Sequence, residues 1–574
     1  MVDPMSNTTS SLPWLDQYPA GVPAQLDYSQ HQSLVEVLED AFTRYAERTA
    51  FWCMGKGLTY RELDAASLQF ASYLQSIGLS KGARVAMMLP NLPQYPVALY
   101  GIMRAGYVVV SVNPQYTAHE LEFQLRDSGA EAIVVLEHFG NTLEQALSIN
   151  PDLPIKHVFI SSIGEFLGWR GPWLDRFIRT FKRKVEPYTL PSKLKSASLK
   201  PSLELGQSAQ YVRPKLDGES IALLQYTGGT TGVSKGAILT HHNLIANLLQ
   251  VETWLRPIEK VKPIEQWNFL CALPLYHIFA FTGCGLLGMR LGAKIILVPN
   301  ARDVPNLVGI LKEFPEINFF PGVNTLFQAL LNNPDFAKLD FSQWVLTIGG
   351  GMAVQKSVAD RWKALTGTAI AEGYGLSETS PVVCCNTPLI EAFTGGIGYP
   401  LPDTELSIRD EMGSPLPAGE VGEIYIRGPQ VMQGYWNQPE ETANAITAEG
   451  FFKTGDIGAM DSKGFFRIVD RIKDMITVAG FKVYPNEVED VVASIPGVLE
   501  CAVVGVESAS GELVKLFVVS DNPDLTAERI MEVCVEQLSP YKRPSAIEFT
   551  ESLPKNNVGK ILRRVLRDQA RNTA

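Results

Sequence analysis

The stretch Tyr226-Thr-Gly-Gly-Thr-Thr-Gly-Val-Ser-Lys-Gly236 follows the apolar run IALLQYT (221–227) and precedes the helical pattern ANLLQVETW (246–254). Residues 226–235 hold three glycines, three threonines and a lysine. Glycine lets backbone N–H groups approach a phosphate, threonine hydroxyls add donors or hold a cation, and Lys235 adds a point charge. The stretch is not a GxxxxGK[ST] loop, because Ser234 precedes Lys235 and Gly236 follows it. A flexible Gly/Thr turn is the plain alternative. A phosphate loop set between a strand and a helix predicts an α/β sheet on both sides of it.

The chain on either side bears the same pattern. Toward the amino terminus LVEVLEDAFTRYAERTAF (34–51) reads as a helix entering a strand, RVAMML (84–89) as a buried strand, and VALYGIMRAG (97–106) as a helix. YVVVSVN (107–113) and AIVVLEH (132–138) read as further strands. Toward the carboxyl terminus NFLCALPL, AKIILVP, INFFPGV and WVLTIGG continue the series. Helices alternating with Val/Ile-rich runs indicate parallel sheets covered on both faces. Between about 400 and 470 the pattern changes to short strands, ELSIRD, GEIYIRG and GFFRIVD, separated by Gly/Pro turns, which suggests a small antiparallel or barrel-like piece. The remaining hundred residues alternate helix and strand again and end in a basic tail. The predicted architecture is α/β: a large amino-terminal domain of parallel α/β sheets with a small β-barrel-like subdomain, hinged to a small α+β carboxyl-terminal domain. The boundaries read as a loose leader over 1–30, a body over 31–470, a hinge over 471–473 and a mobile unit over 474–574.

Composition bounds the function. The 574 residues exceed one domain, and 46% hydrophobic with 19% charged residues is ordinary for a globular enzyme. A net charge of -11 argues against nucleic acid as principal partner. Seven cysteines, none in a CxxC pair, read as free thiols in a reducing compartment. The start MVDPMSNTTSSLPW carries no secretory pattern, and no apolar run is long enough to span a bilayer, so a cytoplasmic location is expected.

Further motifs follow in order: Gly349-Gly-Gly351, Glu372-Gly-Tyr-Gly-Leu-Ser-Glu-Thr379, Thr454-Gly-Asp456, the charged string Asp470-Arg-Ile-Lys-Asp474, and Pro554-Lys-Asn-Asn-Val-Gly-Lys560. Together with the 226–236 loop they resemble the acyl-adenylate-forming superfamily over nearly the whole chain after the leader. Within it the chain is most similar in feel to bacterial long-chain fatty-acid–CoA ligases, through LPLYHIFAFT, NTLF, GYW, RIVDRIKDMI, GFKVYPNEVEDV and NVGKILRRVLRD.

The resemblance implies an ATP-dependent ligase that joins a fatty acid to CoA through an acyl-adenylate. It implies ATP and CoA as co-substrates and Mg²⁺ as cofactor, with Glu378 and Thr227 holding the metal. Thr227, Gly228, Gly229, Thr230, Thr231, Gly232 and Lys235 would contact phosphates. Gly349, Gly350, Gly351 and Tyr374 would wall the base, Glu372, Gly373, Gly375 and Ser377 would add to the nucleotide site, and Asp456 with Arg471 would hold the ribose. Lys560 would reach the reacting groups, Lys473 would mark the hinge, and His277 would stand at the carboxylate entrance. Phe281, Gly322 and Val323 would line the acyl passage, and Gly480 with Phe481 the pantetheine passage. Another acceptor, a carrier protein or oxygen, stays open at this point, as does a medium-chain or aryl acid. Ala479 departs from the serine expected there, and FFKTGD from a tryptophan-bearing version.

Residues 169–184, WRGPWLDRFIRTFKRK, carry six Lys/Arg against one Asp. On a helix Trp173, Leu174, Phe177, Ile178 and Phe181 form one stripe. That is the pattern of an interfacial helix on anionic lipid at the inner face of a membrane; a surface helix packing its stripe on the body is the alternative. The oligomeric state is open, a dimer included.

Overall fold

The computed structural model describes residues 12–227, 234–508, 511–556 and 559–572. Two large sheets form the body. One has nine strands, in the order Tyr399–Pro400, Val382–Cys385, Ile370–Gly375, Leu346–Gly349, Phe319–Gly322, Asn268–Cys271, Lys294–Leu297, Thr49–Cys53, Lys56–Thr59. Its centre is parallel and its margins are antiparallel. The other has seven strands, parallel except where Ile221–Thr227 turns back into Lys235–Thr240. The Ala132–Leu136 strand, AIVVL, is buried at every position, as a parallel strand covered by helices must be.

Helix starts follow local chemistry. Thr59 with Glu62, Thr117 with Glu120, and Thr240 with Asn243 each form a reciprocal cap of the first turn. The last of these starts the long helix His241–Val261, which runs behind the cavity described below.

The β-rich segment is an open antiparallel meander, Glu405–Arg409, Val421–Arg427, Phe452–Met460, Phe466–Arg471 in sequential order. Of the antiparallel and barrel-like forms expected here, the antiparallel one is found: among the described residues its first and last strands do not pair. Phe466 instead bridges Gly398, beside the edge of the nine-stranded sheet.

The small carboxyl-terminal part has its own sheet, Val498–Ser508, Gly511–Ser520 and Ala546–Phe549, packed with helices Pro485–Ala493, Ala527–Gln537 and Arg563–Asn572. A hairpin joins Ile476–Val478 to Phe481–Val483 through Ala479 (φ 49°) and Gly480 (φ 84°). Two successive positive φ values define the tight turn that matches strand twist.

The leader differs from its reading as a loose segment. From residue 12 it is a strap: Trp14 is buried against Phe466, the Tyr18 hydroxyl donates to Pro400 O (2.7 Å), and Leu26 N–H and the Tyr28 hydroxyl donate to Asp403. All seven cysteines are buried thiols. No helix among the described residues is long and apolar enough to cross a membrane.

Candidate active site

A cavity of about 2310 Å³ lies where the two large sheets, the meander and the small lobe meet. Its wall includes Thr227, Lys235, His277, Gly349, Gly350, Gly351, Glu372, Gly373, Tyr374, Gly375, Ser377, Glu378, Asp456, Arg471, Lys473 and Lys560. Residues spread over more than 330 positions of sequence thus converge on one space. Gly228, Gly229, Thr230, Thr231 and Gly232 lie outside the described residues.

Asp456 leaves the strand Phe452–Met460 into the wall, 4% exposed. Its Oδ2 accepts from the Tyr374 hydroxyl (2.6 Å), and Arg471 Nε stands 3.1 Å from Oδ1. The carboxylate is therefore fixed in orientation from two sides. Burial and the neighbouring Asp456 charge push the Tyr374 phenol far above its ordinary range, so Tyr374 acts only as a donor.

Glu378 stands in the turn Ser377–Thr379 and is buried. Its Oε1 accepts from the Tyr435 hydroxyl at 2.9 Å, and burial raises its pKa. Lys235 is ion-paired with Glu441 and lies 5.2 Å above the Tyr435 ring. Tyr435 therefore ties the Glu378 side of the cavity to the Lys235 side. Glu372 accepts from Val354 N–H (3.2 Å) and has its pKa raised to about 8 by burial, with the charge of Asp490 in the small lobe adding to the shift.

His277 caps a short helical turn, its Nδ1 accepting from Phe279 N–H at 3.3 Å. That acceptor role leaves the proton on Nε2. Burial, with the nearby Lys560 charge, depresses its pKa to about 4, so the ring is neutral at pH 7 and can donate without adding charge. Lys560 reaches the cavity from the small lobe. Burial and the cations Arg471 and Lys473 lower its pKa to about 7, and Lys473 is lowered to about 8.

Four residues expected along the passages stand elsewhere. Phe281 is 1% exposed in the core, and the cavity wall at this turn is Phe279, Thr282 and Gly283. The reason is local: Phe281–Leu286 is a π-turn, whose extra residue per turn rotates side chains off α-helical register. Gly322 packs against Phe327, where an added Cβ would lie 2.7 Å from the ring; its neighbour Val323 does line the cavity. Gly480 and Phe481 are absent from the wall. Nothing would meet a Cβ at Gly480, so its glycine serves the turn rather than clearance, and the exposed Phe481 stacks on Tyr541 at 4.7 Å. The hairpin faces outward because the lobe turns its Lys560 surface inward.

Sequence reasoning assigned nothing to Tyr435, Glu441, Arg563 or Asn386. The GYW segment containing Tyr435 was a visible signal. The others depend on tertiary placement: Arg563 lies 2.7 Å from Glu489 and within 3.7 Å of Asp470 and Asp474.

A cavity that sets buried carboxylates and depressed lysines from two lobes around one space is the site of a nucleotide-dependent enzyme. The chain belongs to the AMP-binding enzyme family, whose model matches residues 38–436, while the model of the AMP-binding enzyme C-terminal domain matches 487–560. It is 50% identical over 561 residues to a long-chain-fatty-acid–CoA ligase of Escherichia coli, covering 97% of this chain and 98% of that one. It is 37% identical over 565 residues to a long-chain-fatty-acid–CoA ligase of Bacillus subtilis, with 98% of each covered. Among solved structures, the anthranilate CoA ligase AuaEII in complex with anthranoyl-AMP superposes with a TM-score of 0.78 at 26% identity, covering 96% of this chain and 99% of that one.

Proposed function

We propose that this chain is a long-chain-fatty-acid–CoA ligase that works in two half-reactions through an enzyme-held acyl-adenylate. The observation that carries the reading is Lys560, delivered by the small lobe into the same cavity that Lys235, His277, Glu378 and Asp456 of the body line. Full-length likeness to ligases of that name supports it.

In the first half-reaction a carboxylate oxygen attacks the α-phosphorus of ATP and the bond to pyrophosphate breaks. Two anions must meet, so positioning and charge neutralisation carry the rate. Asp456, held by Tyr374 and Arg471, accepts from the ribose hydroxyls. The glycines 349–351 and Tyr374 wall the base. Lys235 exchanges Glu441 for phosphate oxygens. Neutral His277 donates to the acid carboxylate, and the Lys560 cation offsets the charge between the two reactants. Glu378 and Thr227 are the residues to hold Mg²⁺, which supplies further neutralisation of the phosphates when bound. Glu378 fits, because a buried carboxyl with a raised pKa is a hard oxygen donor that a cation keeps ionised.

In the second half-reaction the CoA sulfur attacks the acyl carbonyl, the bond to AMP breaks and AMP leaves. The lobe over 474–574 turns about Lys473, withdrawing Lys560 and bringing the Ala479-Gly480-Phe481 turn to the cavity. Val251, Leu255, Leu287 and Val323 give the cavity wall apolar surface suited to an alkyl tail.

The test is the initial rate of AMP formation across fatty acids of increasing length, with and without CoA. Pyrophosphate exchange should require a fatty acid alone, and AMP release a fatty acid plus CoA. Absence of acid-dependent exchange would overturn the reading.

The same proposal sets 169–184 against an anionic bilayer at the cytoplasmic face. Trp169, Trp173, Phe177 and Phe181 are 78, 69, 46 and 78% exposed, one helical turn apart. Arg170, Arg176, Lys182 and Arg183 surround them in solvent, while Arg179 turns back to Glu137 (2.7 Å) and anchors the segment to the body. Exposed aromatics amid cations suit an anionic interface. Replacing Arg176, Lys182 and Arg183 by Glu should abolish sedimentation with phosphatidylglycerol vesicles. Unchanged binding would remove this part.

A further inference from the structure

The cavity wall includes a large buried side chain, Trp254, that no motif marks. The helix His241–Val261 presents polar side chains to its neighbours at three positions. Asn243 donates to Pro429 O and Val431 O, Asn247 exchanges hydrogen bonds with the Val382 backbone, and Gln250 donates to Pro402 O. These fix the helix. Its next turn places Val251, Trp254 and Leu255 on the cavity wall.

Trp254 is 2% exposed and held from several sides. Its indole N–H donates to Asn386 O at 2.9 Å. Asn386 in turn pairs with the Glu372 backbone, its N–H donating to Glu372 O and its Oδ1 accepting from Glu372 N–H. Behind the ring, Tyr18 of the amino-terminal strap meets it edge-on at 5.2 Å. Val22 of the strap joins Trp254, Cys385 and Leu401 in an apolar cluster separate from the main core. Trp254 thus has the cavity on one side and the strap on the other.

We infer that Trp254, backed by Tyr18 and Val22, is the end wall for the methyl terminus of the acyl chain and sets the longest chain the enzyme takes. The inference rests on the ligase reading above. Inside the cavity each added methylene gains burial, about fourfold in KM, the equivalent of ~0.8 kcal/mol. That gain stops at a wall. An indole clamped by a hydrogen bond, a ring contact and close packing does not yield to one more methylene, because overfilling a packed site strains it.

The experiment is kcat/KM for saturated even-numbered fatty acids from about 8 to about 20 carbons, where each methylene is worth about fourfold, with the full chain and CoA present. The wild type should improve with length and then drop sharply past an optimum. Trp254→Ala should move that drop to acids longer by about two carbons or more, and Tyr18→Ala should move it the same way but less, since only the backing is lost. Trp254→Phe gives an intermediate shift and serves if the alanine variant fails to fold. A drop at the same length in folded Trp254→Ala and Trp254→Phe overturns the inference and leaves the ligase reading intact. A wild type inert to every fatty acid but active on another carboxylic acid overturns the fatty-acid reading instead.

Discussion

The body and the small lobe are both well packed, yet they are joined by a different kind of force from the one that holds each together. One apolar cluster runs through the body from Leu34 to Phe452, with Phe320, Phe327 and Trp362 fully buried in it. The lobe has two clusters of its own, and no apolar cluster among the described residues spans the seam. The seam is polar. Asn486 N–H donates to Asp470 (2.8 Å), Lys482 pairs with Glu411 (2.8 Å), Arg302 donates to Asn556 O (3.2 Å), and Thr325 donates to Gly559 O (3.4 Å). Apolar burial has no alternative partner in water, whereas hydrogen bonds and exposed ion pairs do. The seam can therefore be exchanged for solvent or another surface while both cores stay closed, as the proposed two half-reactions require.

The sharpest test of that division is Lys560, which belongs to the lobe, lines the cavity of the body and is proposed to act there. Lys560→Ala should slow adenylation by about 10²- to 10³-fold, the scale of losing a charge-stabilising group, and leave thiolation of supplied acyl-AMP within about twofold. Pyrophosphate release and conversion of acyl-AMP measure the two steps. Equal loss in both would break the comparison. Because the Lys560 cation gives up its proton near pH 7, adenylation kcat/KM should fall as pH rises through that value. Lys560→Arg, charged throughout, should flatten this limb.

A smaller effect is expected at the seam. Asp470 is the body's buried anchor for the lobe: it accepts from Asn486 in the first turn of Pro485–Ala493 and from Arg471, and it faces Arg563, three residues beyond Lys560. Burial raises its pKa to about 6. Asp470→Asn should lower adenylation kcat about tenfold with little change in KM for ATP or in thiolation, by loosening the docked lobe. The wild type should lose adenylation below pH about 6, as Asp470 takes up a proton, and the variant should lack that acid limb. Equal losses in thiolation would mean that the anchor serves stability alone.

The strands were legible because parallel strands need unbroken apolar runs, and the cavity glycines and acids because their spacing is local. What stayed hidden depends on distance. Glu441 finds Lys235 from 206 residues away, and Tyr435 finds Glu378 from 57. The strap reads as loose by composition, but Tyr18 meets a carbonyl 382 residues on. Phe281 was placed on the passage by resemblance alone, and the π-turn Phe281–Leu286 puts its ring in the core instead. In 169–184 the helical spacing was right, but periodicity does not say whether a stripe faces core or solvent, and the aromatics face out.

The smallest predicted effect connects the two regions through one carboxyl. Glu372 belongs to the body, its pKa is raised to about 8 first by burial, and the next unfavourable influence is the charge of Asp490 across the seam. A raised folded pKa gives stability that is complete below the unfolded value near 4.5 and is lost as pH rises through about 8. Glu372→Gln cannot ionise. Its Tm relative to wild type should therefore climb from pH 5 to pH 9, by about 2–4 °C for a chain of this size. Asp490→Asn should recover part of the same gain, because it removes the charge that faces Glu372 from the lobe. If the Asn variant recovered nothing while Gln did, the shift would be burial within the body alone, and the polar seam would carry no pH response of its own.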